Sequence, residues 1–582
     1  MRHLTVVLRC GEREARHRWP LDASGALSAA GVWSPSLFPG QIRVGMADAA
    51  TGAGSWELTL AASEDWPEDV GVEARVALDP GETPGHVLWP RYEGLFERRP
   101  CANEQAGVFH GSGHPGQDLP ADHRLALPFA VLESGGARWL GGTDPTFSTT
   151  IAITWEDSGE TTVVFSWRWL AAAGVHGDES RRLFVQPVRD ERAALDRWFA
   201  LATPDVPAGP AWLHEIALQN YDYLSKDGQG WYADIDAACA LIAPGDRDRA
   251  LFCLHGWYDQ IGRYCYDAAT GRLDENWIAF PHIHDSELLA RAVATPIVVG
   301  NPSPTNYAFR NLDRYRPVPL SWPAVRDRLR YARERGFRTA VYALTGLQAA
   351  GSRAPRVADG TGLDIDTPLW HGPDLIGPTY LRNPLHPEVR AQVLGYIAAL
   401  LDQVGDLTDA LVMDEAYYVA YGTLGPAACP GYADRAQLSL IREMTGLCHR
   451  YRPDLAFLTA DLLGAPPLEQ RVFPYSLGAD GIYQDSWCTP ETWDCVRFPA
   501  WRNVAWSCNW APVSNLAFTR WAVLAHNAPV AIANGCYGDD TGLAEMEAAV
   551  ARQVADLWRV RRTRDRAGSV PIVDATTRRG LQ

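Results

Sequence analysis

From residue 250 onward the chain repeats one pattern: a short unbroken apolar run, one or two polar residues, then an amphipathic stretch with helical spacing. A run that is apolar at every position suits a strand buried on both faces, and such strands belong to parallel sheets covered by helices. Eight runs fit, at 251–254, 296–299, 339–343, 411–413, 456–458, 481–483, 504–506 and 530–533. Amphipathic stretches at 322–335, 388–404, 434–451, 519–527 and 543–562 supply helices. Eight strand–helix units over about 310 residues predict a (β/α)8 TIM barrel.

The first 200 residues follow a different rule. Runs at 4–8, 55–60, 72–78, 137–141, 149–155, 161–169 and 183–187 alternate apolar and polar residues between turn signals. One wet and one buried face per strand predicts an antiparallel β-sandwich. Prolines at 204, 207 and 210 then stiffen a linker, since each fixes φ and removes a donor. The spacing at 211–223 predicts a helix. The expected organisation is a multidomain chain: a β-sandwich domain over 1–203, a linker and helix over 204–248, the barrel over 249–565 and a tail over 566–582.

Composition narrows the function. The 582 residues carry 53 Lys+Arg against 70 Asp+Glu, a formal charge of −17, which argues against nucleic-acid or anionic-membrane partners. No apolar run reaches the roughly 18 residues of a membrane span. Eleven cysteines without CxxC or zinc spacing fit reduced thiols, and no signal-type apolar segment stands near the N-terminus, so a cytoplasmic location is expected. The one lysine, Lys226, makes Schiff-base chemistry improbable. Twenty-three tryptophans suit stacking on sugar rings as well as core packing.

In a barrel of this kind the site lies at the C-terminal ends of the strands. Asp414 and Glu415 end the fourth run, Asp461 the fifth and Asp485 the sixth. Carboxylates gathered at one barrel mouth suit glycosidic cleavage, where one group faces the anomeric carbon and a second protonates the leaving oxygen. The fourth and sixth strands are one strand apart, so Asp414 and Asp485 are the expected catalytic pair, Asp414 as nucleophile near Arg382 and Tyr417, Asp485 as acid beside Trp487. Glu415 and Asp461 are alternative catalytic candidates, and alternation alone does not choose between Asp414 and Glu415. Expected substrate contacts at other strand ends are Trp257, Asp259, Arg263, Asn301, Asn306, Asn509, Trp510, Asn534, Asp539 and Asp540. Each alone is equally at home as a cap or loop anchor.

With these residues in place, the chain resembles the clan of retaining α-glycosidases that includes glycoside hydrolase families 27, 31 and 36. The resemblance rests on Leu411-Val412-Met413-Asp414-Glu415, on Gly481-Ile482-Tyr483-Gln484-Asp485, and on Asn383-Pro384-Leu385-His386-Pro387-Glu388-Val389-Arg390 before the fourth strand. It departs from that clan in lacking a Lys-x-Asp nucleophile strand. The resemblance implies a glycoside hydrolase with a retaining double-displacement mechanism, no cofactor, and an oligosaccharide or glycoside as partner. A preference for α-linked substrates is implied by it alone. A transglycosylase would use the same groups, a noncatalytic carbohydrate-binding protein would need neither carboxylate, and a homo-oligomer stays open. His282-Ile283-His284-Asp285 raises a metal-dependent barrel hydrolase as a minor alternative, but the later strands end without histidine. Asp359, Asp364 and Asp366 lack calcium-loop spacing, and no metal site is expected.

Overall fold

The computed structural model describes residues 3–27, 30–36, 40–47, 54–62, 70–78, 84–90, 96–100, 104–109, 125, 127–134, 136–145, 149–155, 161–169, 178–202, 209–222, 230–257, 266–267, 269–279, 318–344, 347–349, 363–365, 379–382, 384–414, 433–461, 477–484, 504–507, 520, 523–524, 529–534 and 542–563. The chain divides into two compact units, the first built on Met1–Val206, the second on Pro207–Ala420 and Gln437–Pro571.

The first unit holds two antiparallel sheets. One has six strands in the order Arg13–Pro20, His3–Cys10, Val70–Ala77, Thr161–Trp169, Thr149–Trp155, Glu104–Phe109. The other has eight, in the order Gly31–Trp33, Gly40–Met46, Ser55–Ala62, Asp178–Val188, Ala137–Thr143, Phe129–Ser134, Pro84–Pro90, Phe96–Pro100. Leu4, Val6 and Leu8 of the first sheet and Trp56, Leu58 and Leu60 of the second bury alternate side chains in one core, as a pleated strand with one inward face must. Among the described residues all seven expected strands are present. Seven more escaped the sequence reading, among them Arg13–Pro20, whose charged outer positions hide its alternation. The unit ends in a helix, Glu191–Ala202, which the sequence reading had as β-structure; Trp198 anchors it, donating its indole N–H to the Thr143 carbonyl at 3.1 Å.

The second unit is organised by one eight-stranded parallel sheet. Its strands are β1 Leu218–Asp222, β2 Ala250–Leu254, β3 Arg338–Leu344, β4 Ala410–Asp414, β5 Ala456–Asp461, β6 Gly481–Gln484, β7 Val504–Ser507 and β8 Val530–Asn534. The order across the sheet is β7-β6-β5-β4-β3-β2-β1-β8, and the outer strands β7 and β8 approach one another. The helices are α1 Gly230–Leu241, α2 Trp322–Glu334, α3 Pro387–Val404, α4 Ala433–Tyr451 and α5 Ala548–Arg562. Among the described residues no helix is long and apolar enough to cross a membrane.

Two expectations are corrected here. The described part of 211–223, residues 211–222, does not form a helix: a short 3-10 turn at Ala211–Glu215 leads into strand β1, which pairs with both β2 and β8. The polar residues Gln219, Asn220 and Asp222 broke the apolar run that would have marked a strand, yet all three are fully buried. The segment expected to be linker and helix therefore contains the first strand of the sheet. Residues 296–299, expected as the second strand, lie outside the described residues, and β2 pairs directly with β3 with no strand between. The eightfold count survives because β1 takes that place, so the fourth and sixth strands keep their numbers.

Local chemistry explains the helix starts. Ser321 caps α2, its Oγ accepting the Ala324 N–H, with a proline in the first turn. His386 caps α3, its Nδ1 accepting the Glu388 N–H at 3.3 Å, and Pro387 follows at the first helical position. The Asn383–Arg390 run is thus a helix-starting device. The closing helix begins at Ala548, five residues later than expected, and of the expected helix at 519–527 only residues 520 and 523–524 are described, all helical.

Candidate functional site

The faces of the parallel sheet follow from register. Asn220 on β1 donates from Nδ2 to Asp234 on α1 at 3.3 Å, and the Phe252 ring on β2 lies 6.0 Å from Trp231 on α1. Positions 220 and 252 are a register pair on the helix-covered side. The opposite set passes through Cys253, Ala340, Ala410 and Ala456, which pair in succession. Two residues further along the strands the same set contains Tyr342, Val412, Leu458, Gly481 and Val504. Directly paired residues share a face, so this set lies on the side away from the helices.

Asp414 is the last residue of β4 and pairs with Leu344, which places its backbone position in the set of Tyr342 and Val412. Asp461 is the last residue of β5 and pairs with Gln484, in the other set, with Thr459 and Ile482. Asn534 ends β8 and pairs with Asp222, also on the helix-covered set. Asp485 follows directly on Gln484 and lies outside the described residues, as do Glu415, Asp259, Arg263, Asn301, Asn306, Tyr417, Trp487, Asn509, Trp510, Asp539, Asp540 and the 282–285 motif.

Two expected substrate contacts are fully described. Trp257 is completely buried: its indole N–H donates to the Tyr342 carbonyl at 2.8 Å, its own carbonyl accepts the Trp277 indole N–H at 2.5 Å, and its ring meets Trp277 and Trp322. As described, the Trp257 ring is spent on packing against Trp277 and Trp322. Arg382 follows the short strand Thr379–Leu381 and is nine-tenths buried. Its charge acts on Tyr266, whose hydroxyl is nevertheless held above its ordinary pKa by burial. Tyr266 packs against Tyr396 on α3.

Sequence reasoning missed His255, which directly follows β2. It is buried, and its ring lies 3.8 Å from that of Tyr342. The signal was present, since His255 ends the 251–254 run, but a lone histidine carries little information. Also missed were carboxylates at the other ends of the strands. Asp409 precedes β4, receives Arg333 at 2.9 Å, Arg452 at 3.4 Å and Arg338 at 3.5 Å, and accepts the Thr339 N–H. Asp480 precedes β6, accepts the Phe457 N–H at 2.8 Å, and lies 2.9 Å from Nε2 of His449. The hydrogen bond to Asp480 raises the His449 pKa above its ordinary value, against a smaller opposing effect of burial. Both carboxylates stand just before their strands, at the opposite ends from Asp414 and Asp461. Among the described residues no cluster of ligating side chains suits a metal ion.

No protein-family model and no curated protein matches the sequence. Solved structures do match in fold. The family 36 α-galactosidase AgaA of Geobacillus stearothermophilus is similar at 12% identity and a TM-score of 0.50, over 97% of this chain and 74% of that one. The galactosidase domain of the α-galactosidase–sucrose kinase AgaSK is similar at 11% identity and a TM-score of 0.50, over 96% and 71%. The α-N-acetylgalactosaminidase NagBb of Bifidobacterium bifidum is similar at 10% identity and a TM-score of 0.47, over 97% and 88%.

Proposed function

We propose that this chain is a retaining glycosidase for α-linked sugars, with α-galactosides as the first class to test. In this reading the parallel sheet closes into a (β/α)8 barrel running from β1 to β8, preceded by the β-sandwich, and the reaction takes place at the C-terminal strand ends. The observation that carries the reading is the position of Asp414: it ends β4 in the register set that faces away from the helices, within a fold similar to an α-galactosidase over 97% of the chain.

Asp414 is the nucleophile and Asp485 the acid and base. Asp414 attacks the anomeric carbon, the glycosidic bond breaks, and Asp485 gives its proton to the departing oxygen. A glycosyl ester on Asp414 results. Asp485 then takes a proton from water, whose oxygen displaces Asp414 and frees the sugar with its original anomeric configuration. This mechanism requires the two carboxyl groups to stand about 5–5.5 Å apart. Asp461 is the weaker candidate because its backbone position falls in the helix-facing set.

The test is a panel of nitrophenyl α- and β-glycosides with NMR of the first-formed anomer, run on the native chain and on Asp414→Asn and Asp485→Asn. Turnover of an α-glycoside should fall by about 10³-fold or more in Asp414→Asn, with sugar affinity kept. Azide should restore turnover in Asp485→Asn or its alanine counterpart with an activated leaving group. Inverted product, or unchanged turnover in both variants, would overturn the assignment; sugar binding without turnover in the native chain would make it a carbohydrate-binding protein.

A further inference from the structure

A cavity of about 690 Å³ opens on the flank of the second unit, beside the hairpin strands Tyr266–Asp267 and Arg272–Leu273, the start of α2 and the last turns of α3. None of the described residues that line it belongs to the parallel sheet. Its polar lining includes Arg272, Glu275, Asn276, Asp402 and Gln403, with Ser321, whose Oγ caps α2, while Leu273 and Ala399 give it apolar surface. Its size falls within the roughly 300–1,000 Å³ of ordinary small-molecule sites.

The polar side chains around this cavity are not spent on one another. Arg272, Glu275 and Asp402 carry charges of both signs on one cavity, yet among the described residues none of the three is in an ion pair. The side chains of Asn276 and Gln403 make no hydrogen bond among the described residues either; the backbone of Asn276 pairs with Ser321, and the carbonyl of Gln403 accepts from Arg326. The cavity therefore offers donors and acceptors together. Two carboxylates disfavour an anionic ligand, and a guanidinium disfavours a metal cation. A neutral polyol satisfies both kinds of group, with its hydroxyls donating to Glu275 and Asp402 and accepting from Arg272 and the amides, and its C–H faces resting on Leu273 and Ala399.

We infer that this cavity is a second, noncatalytic saccharide-binding site. The inference rests on the glycosidase reading only for the biological source of its ligand, a neutral oligosaccharide. It is tested by isothermal titration calorimetry of the full chain with raffinose, a neutral trisaccharide. Asp414→Asn stops turnover during the titration, and Glu275→Ala and Asp402→Ala, both at exposed positions, alter the cavity. The expected result is two raffinose sites per Asp414→Asn chain and one when Asp402→Ala or Glu275→Ala is added, with at least a tenfold loss of affinity at the second. Hydrolysis of a small nitrophenyl glycoside by Asp402→Ala alone should stay within twofold of the native chain. One site in Asp414→Asn, or two sites undisturbed by both cavity variants, overturns this inference while hydrolysis by the native chain leaves the glycosidase reading standing. Absence of both hydrolysis and raffinose binding overturns the two together.

Discussion

Asp409 gathers Arg333, Arg338 and Arg452 around one buried carboxylate just before β4. Removing the acid leaves three guanidinium groups at the sheet end without their shared partner. Asp409→Ala should therefore lose about 3 kcal/mol of stability, read by urea denaturation. His449 makes a pH-dependent contribution. Its pKa is raised in the folded chain by Asp480, so the stability it adds is fully present below the unfolded-state value and drains away as pH rises through the folded one. The urea midpoint should fall as pH rises above about 6.5, and His449→Gln should flatten that slope; an unchanged slope in the variant would refute the pairing as its cause. Neither Asp409 nor Asp480 was legible in the sequence as a structural acid. Both flank apolar runs just as Asp414 and Asp485 do, and only partners tens of residues away tell one end of a strand from the other.

At the scale of elements, strands that are apolar throughout were easy to read. β2 through β8 each lie on an expected run, because parallel strands under helices admit few polar residues. β1 was illegible for the converse reason: Gln219, Asn220 and Asp222 are polar and buried together, and Asn220 finds its partner in Asp234 on α1. The helices α2 and α3 announce themselves through Ser321, His386 and their first-turn prolines, and α2 ends before Gly336, whose φ is +90°. A Cβ there would meet only ordinary contacts, the nearest being Arg247 at 3.5 Å. Gly336→Ala should therefore cost about 1 kcal/mol, all of it backbone strain, measurable as a drop in the denaturation midpoint. The tryptophan excess had two readings in the sequence. Trp56, Trp89, Trp198, Trp231 and Trp257 settle five of them as core.

For the whole molecule, alternating runs end near residue 200 and unbroken ones begin near 250, while the structure has a first unit built on Met1–Val206 and a second that starts at Pro207. Each unit has its own packed core, so calorimetric unfolding of the full chain should depart from a single two-state transition. Asp409→Ala should lower the component belonging to the second unit and leave the other in place, which a pair of overlaid scans would show. The candidate site was legible only in outline, since the strand ends could be found but not the face each residue takes. That choice depends on registers such as Leu344 with Asp414, which are set between distant strands.

The place of β1, hydrogen-bonded to both β2 and β8, has a consequence for biosynthesis. Val530 leaves the ribosome roughly 310 residues after its neighbour Leu218, an interval of about 15–60 s at ordinary elongation rates. Throughout that wait one margin of the nascent sheet has no mate. The amide and carboxylate groups of Gln219, Asn220 and Asp222 keep that margin hydrated and make it a poor template for a neighbouring chain, so the polarity that disguised the strand also guards it until translation supplies its final neighbour.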